Sequence, residues 1–159
     1  MADAPPPLTG SRPQTILLVD DEVDILDSLK ELIEGTVKGV RVLTAENGQA
    51  ALAILKKEST DLIVSDFKMP GMNGLDFLVE ARKVAPGVPR ILITAFPDLD
   101  LAIRAVNEAS IENFFTKPLE PDKILDILQR VLKERKAEEQ RKQSFARSLD
   151  VLRRKAKEE

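Results

Sequence analysis

The chain has no cysteine and no histidine among its 159 residues. Without cysteine there is neither a disulfide nor a thiolate metal site, which fits a cytosolic, cytoplasmic protein. Without histidine the chain cannot carry a catalytic or phosphorylated imidazole of its own, and a zinc or iron site would lack its usual ligands. No apolar run approaches the roughly 18 residues that cross a membrane, so no membrane association is expected. No basic segment followed by an apolar one marks a signal peptide. The groups left for chemistry are carboxylates, hydroxyls and amines, which suit a hard cation such as Mg²⁺.

Hydrophobic residues make up 43% and charged residues 32% of the chain, a balance that reads as one soluble globular domain with a proper core. The net charge of -3 is unevenly spread. Residues 133 to 159 hold ten Lys/Arg against six Asp/Glu, so the tail is basic and the remainder acidic.

Residues 1 to 14, "MADAPPPLTGSRPQ", hold four of the ten prolines and read as a disordered leader. Strand-length apolar runs follow: "TILLVD" (15 to 20), "VRVLTA" (40 to 45), "DLIVSD" (61 to 66), "RILITA" (90 to 95) and "ENFFTK" (112 to 117). They are nearly continuous rather than alternating, as strands covered on both faces require. Amphipathic stretches lie between them. The first places Val23, Leu26, Leu29, Leu32 and Ile33 on one face, and the last begins near Glu120. Five βα units with right-handed crossovers predict an α/β fold, a doubly wound five-stranded parallel sheet with helices on both faces.

The last helix has no evident stop, so an extended C-terminal helix is expected. Leu128, Val131, Arg135, Glu138, Lys142, Phe145, Leu149, Leu152 and Ala156 are spaced alternately three and four apart, a heptad row with a polar middle. Residues 133 to 159 are therefore a helical extension. It is read either as solvated, as a coiled-coil dimer stalk, or as a linker to an output domain absent from this chain.

In an open parallel sheet, ligands bind beyond the carboxyl ends of the strands where the strand order reverses. The first strand ends in Asp20 and Asp21, the third in Asp66, the fourth in Thr94, and the fifth in Lys117 before Pro118. If the order is 2-1-3-4-5, strands one and three are neighbours there, and three carboxylates converge beside one hydroxyl and one amine. Each residue alone has a plain structural explanation. Asp21 could cap the next helix, and Asp66 could open the turn "KMPGMNG". Together they need a counter-charge, because two carboxylates about 4 Å apart repel by roughly 4 kcal/mol at an effective dielectric of about 20. A divalent cation supplies it. A phosphoryl group is the natural second guest, with Lys117 and Thr94 on its oxygens and one carboxylate free to act as nucleophile.

"LLVDDE", "DLIVSDFKMPGMNG", "ILITAF" and "FFTKPLE" together closely resemble the receiver domain of two-component response regulators, from about Thr15 to Val131. The resemblance implies the flavodoxin-like strand order 2-1-3-4-5 and a domain over 15 to 132. It makes Asp66 the phosphoacceptor, with a histidine kinase or phosphotransfer protein as the donor partner. Asp20, Asp21, Asp66 and the backbone carbonyl of Lys68 would hold Mg²⁺. Thr94 and Lys117 would contact the phosphoryl oxygens, and the Lys117–Pro118 bond would be cis. Phe114 takes the place of the aromatic that rotates on activation, here without a tyrosine hydroxyl. Lys68 and Phe96 would flank the phosphoryl group. The chain is then a signalling switch and not an enzyme beyond self-phosphorylation and autodephosphorylation. Activation is expected to favour a homodimer through the fourth helix, fifth strand and fifth helix. Leu128, Val131, Phe145, Leu149 and Leu152 would supply its apolar contacts.

Three other readings stand beside this one. A haloacid-dehalogenase-like phosphohydrolase would put its nucleophile on the first strand with a second Asp two residues later, where this chain has Glu22. A stand-alone protein-interaction module would act by binding alone. Direct nucleic-acid binding by the basic tail is not expected, since that tail also carries acids and has only Phe145 as an aromatic platform.

Overall fold

The computed structural model describes residues 12 to 158. Ten elements alternate: β1 (Gln14–Val19), α1 (Val23–Thr36), β2 (Val40–Ala45), α2 (Gly48–Lys57), β3 (Leu62–Asp66), α3 (Gly74–Val84), β4 (Arg90–Thr94), α4 (Leu99–Ala109), β5 (Asn113–Thr116) and α5 (Pro121–Glu158). All strand pairs are parallel, in the order β2-β1-β3-β4-β5. The expected leader lies outside the described residues as far as residue 11. Arg12 and Pro13 precede the sheet, and Gln14 already belongs to β1.

The aliphatic strands follow from coverage on both faces. Leu17, Val19, Ile63 and Leu92 point into a core shared with α2, α3 and α4, including Phe77 and Leu78. Ile16, Leu18, Leu62, Val64, Ile91 and Ile93 point the other way, against α1 and α5. The period-2 alternation of a strand thus feeds two cores, and each such buried side chain contributes about 1.5–3 kcal/mol. The α1 face differs from the expected one at its start. Leu26 and Ile33 are buried, whereas Val23 in the first turn is largely exposed.

α5 continues without a break to Glu158, but its expected heptad row divides in two. Leu128 and Val131 are buried in the domain core with Ile124, Leu125 and Leu132, so they are not available to pair with another chain. Arg135 is also tied to the domain, through a hydrogen bond from Nη1 to Gly87 O at 2.9 Å. Only the outer apolar positions are left for such pairing; Phe145 and Leu152 are exposed.

Candidate functional site

The strand ends come together as the topology requires. Val19 of β1 pairs with Ser65 of β3, which sets Asp20 beside Asp66. Thr94 of β4 pairs with Thr116 of β5, and Lys117 N donates to Thr94 O at 2.9 Å. Asp20, Asp21 and Asp66 each offer a carboxylate oxygen, and these atoms all lie within 4.8 Å of one another. Lys117 Nζ reaches over them, 3.1 Å from Asp66 Oδ1 and 3.7 Å from Asp20 Oδ2.

Asp20 and Asp66 are buried. Burial pushes the Asp20 carboxyl up from its ordinary value; the Glu22 N–H and Lys117 oppose this, and the charges of Asp66 and Asp21 add to it. Burial likewise raises Asp66, against the hydrogen bond and charge of Lys117. Burial alone would lower the Lys117 ammonium, but the Asp66 and Asp20 carboxylates outweigh it and the group is raised. Among the described residues the three acids thus exceed the one cation paired with them, Lys117. A compact set of hard oxygen donors in charge excess fits Mg²⁺.

Helix capping explains why Asp21 is left to this cluster. Asn47, Asn73 and Asp98 cap α2, α3 and α4, accepting from the backbone N–H groups of Ala50, Asp76 and Leu101 at 2.7–2.8 Å. At α1 the N-cap position is Glu22, with no side-chain cap bond. Asp20 Oδ1 accepts from Glu22 N at 2.9 Å instead. Asp21 is exposed, and among the described residues its carboxylate has no hydrogen-bond or ion-pair partner. The helix-cap reading of Asp21 therefore does not hold.

The other expected residues are placed unevenly. Thr94, Phe96 and Lys68 line the same cleft as Asp66 and Lys117. The Thr94 hydroxyl accepts from Phe96 N at 3.2 Å, and Phe96 is 75% exposed. Pro118 follows a cis peptide bond. Phe114 is outside the cleft, half-buried against the core beneath α4, whereas Phe115 faces the α1 and α5 core.

Two residues that sequence reasoning passed over hold the backbone of Asp66. Ser65 Oγ donates to Asp66 O at 2.9 Å. Gly74 opens α3 so close to this turn that a Cβ there would clash with Asp66 O. Gly74 N also donates to Phe67 O at 2.7 Å. The signal was available, since glycine is a costly choice in a helix and often marks a close backbone approach.

The family model for the response regulator receiver domain matches residues 16–129. The sporulation initiation phosphotransferase F of Bacillus subtilis is 34% identical over 119 residues, covering 75% of this chain and 94% of that protein. The hydrogenase transcriptional regulatory protein HoxA of Cupriavidus necator is 35% identical over 118 residues, 74% of this chain but only 24% of the relative. The chain thus spans about a quarter of the length of the first curated relatives it matches. Among solved structures, a CheY-like receiver domain protein from Methanospirillum hungatei superposes with a TM-score of 0.73 at 32% identity, covering 79% of this chain and 98% of that one. The haloacid-dehalogenase-like alternative gains no support from these matches.

Proposed function

Because the chain belongs to the response regulator receiver family, a family of signalling switches, we propose that Asp66 is its phosphoacceptor. The observation that carries the proposal is the convergence of three carboxylates within 4.8 Å under the Lys117 ammonium. The donor is a phosphohistidine of a histidine kinase or phosphotransfer protein, since this chain has no histidine. An Asp66 carboxylate oxygen forms the new bond to phosphorus. The P–N bond breaks, and its electron pair returns to the partner's imidazole, which takes up a proton. Lys117 neutralises charge on the phosphoryl oxygens and holds the acceptor carboxylate in place. Asp20, Asp21, Asp66 and the Lys68 backbone carbonyl would hold Mg²⁺. When bound, that ion supplies the positive charge needed to bring a phosphoryl group against three acids.

The phosphoryl group adds about -1.5 to -2 charge. The Thr94 hydroxyl leaves Phe96 N to donate to a phosphoryl oxygen, and Lys117 shifts toward another. Both residues lead into the β4–α4 and β5–α5 segments, so the surface of α4, β5 and α5 changes with them, Phe114 included. Phe96, Leu99, Ile103 and Val106 expose an apolar stripe there. We take this face, with the outer part of α5, as the surface through which phosphorylation favours a homodimer or controls an output partner. Residues 133 to 159 serve as its stalk or linker. The family supports a cytoplasmic location, and no described helix is long and apolar enough to cross a membrane. No turnover of an independent substrate is proposed, only self-phosphorylation and autodephosphorylation.

Borohydride reduction of the phosphorylated protein, followed by peptide mapping, tests the assignment. An acyl phosphate on Asp66 is reduced to homoserine at position 66. Homoserine at another aspartate would overturn it.

A further inference from the structure

A second carboxylate is buried at the amino end of the sheet, opposite the acidic cleft. Asp61 immediately precedes β3 and is 3% exposed. Arg12 donates to both of its oxygens, from Nη1 to Oδ2 at 2.8 Å and from Nη2 to Oδ1 at 3.0 Å. Thr15 N donates to Oδ2 at 2.8 Å. Arg135 of α5 also faces this carboxylate, with Nε 3.8 Å from Oδ1. That Nε is buried and has no hydrogen-bond partner among the described residues, so attraction to Asp61 is what offsets its burial. Arg135 Nη1 meanwhile holds Gly87 O at 2.9 Å and lies 3.2 Å from Glu139 Oε1. Three residues earlier on the helix, Gln14 Nε2 donates to Leu132 O at 2.8 Å.

Burial along α5 shows what this cluster controls. Leu128, Val131 and Leu132 are packed in the core. From Lys136 to Glu158 every residue is exposed except the half-buried Glu139 and Leu149. Arg135 is thus the last side chain that joins the helix to the receiver body. The stretch beyond it is on the order of 34 Å long at 1.5 Å per residue, so a small rotation at its base moves its tip far. Apolar packing fixes where the helix lies but is non-directional. A guanidinium that donates to a carbonyl through Nη1 and turns its Nε toward a buried carboxylate also constrains the angle of the helix.

We infer that Arg12, Asp61 and Arg135 form a clamp that sets the direction in which α5 leaves the receiver. The extension is a lever fixed to the body and not a helix hinged near Lys133. The segment ahead of β1 and the extension meet on one carboxylate, and loss of that carboxylate loosens both. The clamp does not depend on phosphoryl chemistry, because it lies at the other end of β3 from Asp66.

The absence of cysteine allows clean paired labelling of the full chain. Spin labels on Lys57→Cys, in the last turn of α2, and Ala156→Cys, near the tip of α5, report the distance between body and extension by pulsed electron resonance. The labelled parent is expected to give one narrow distance distribution. Adding Arg135→Met, which keeps the apolar stem, or Asp61→Asn, which keeps the side-chain shape, is expected to broaden it while circular dichroism stays that of a folded helical protein. An Arg135→Met distribution with the same mean and width as the parent, or a parent distribution that is already broad, overturns the clamp. If Asp61→Asn does not fold, Arg135→Met alone decides.

Discussion

Lys117 Nζ lies 3.1 Å from Asp66 Oδ1, making this lysine the cation that the carboxylate cluster faces. Both Asp66 and Asp20 have raised folded-state values. Between the unfolded carboxyl value of 3.8 and those raised values, the folded state binds more protons than the unfolded one. Chelator-treated protein should therefore gain a contribution to stability as pH falls from neutral through the raised values. Saturating Mg²⁺ should remove that gain, because it favours the charged carboxylates. The raised Lys117 acts with the same sign at high pH: its stabilisation is intact below 10.5 and is lost as pH rises through its folded value. Lys117→Ala should keep the fold and accept phosphate more slowly than wild type. It should lose the phosphorylation-induced spectral change at Thr94 and Phe114. Amide spectra of phosphorylated mutant and wild type check this, and identical changes in both contradict it.

Asp21 is free of any capping role, since Glu22 occupies the N-cap of α1. Asp21→Ala should weaken Mg²⁺ binding and abolish phosphorylation. It should also relieve repulsion, so the metal-free mutant should melt at or above the metal-free wild type. Loss of a capping residue would instead cost about 1 kcal/mol. Thermal melts in chelator separate the two.

Gly74 admits no side chain, because a Cβ would press on the backbone of the residue whose carboxylate reacts. Gly74→Ala should destabilise by about 1–3 kcal/mol, the range for overpacking, and should slow phosphorylation of Asp66. Gly35→Ala is the matched control, with nothing within 4 Å of the new Cβ. Inside α1 it should stabilise by about 0.5–1 kcal/mol. Urea melts and phosphorylation rates of both variants provide the comparison.

With Leu128 and Val131 committed to the core, self-association through the extension must use the outer positions. Light scattering with Mg²⁺ and a phosphate mimic should show a larger dimer fraction than without. Leu149→Asp with Leu152→Asp should reduce the dimer and leave phosphorylation unchanged. A monomer mass in both states at high concentration would make the extension a linker or a solvated tail.

The five βα units and the polar residues at the strand ends were legible from local patterns, whereas the strand order that brings Asp20, Asp21, Asp66 and Lys117 together rested on the resemblance to receiver domains. Aliphatic runs mark strands covered on two faces, and polar residues at their carboxyl ends share one edge of the sheet. The fate of the last helix was not legible. Leu128 and Phe145 fit the same spacing, yet one fills the core and the other is exposed, and periodicity gives a face without saying what covers it. Arg135 read only as part of the polar middle of the heptad row, because its partner, Asp61, lies far away in the chain. Val23 fits the apolar face by spacing, yet it lies in the first turn of α1 and is exposed. The constraint on Gly74 is not local, since it comes from the neighbouring backbone of Asp66.

Intact-mass analysis after incubation with a small acyl phosphate tests the central claim most directly. Wild type should gain the mass of one phosphoryl group in Mg²⁺ and none in chelator, and Asp66→Asn should gain none in either. A phosphoryl adduct on Asp66→Asn at the wild-type level would contradict the account.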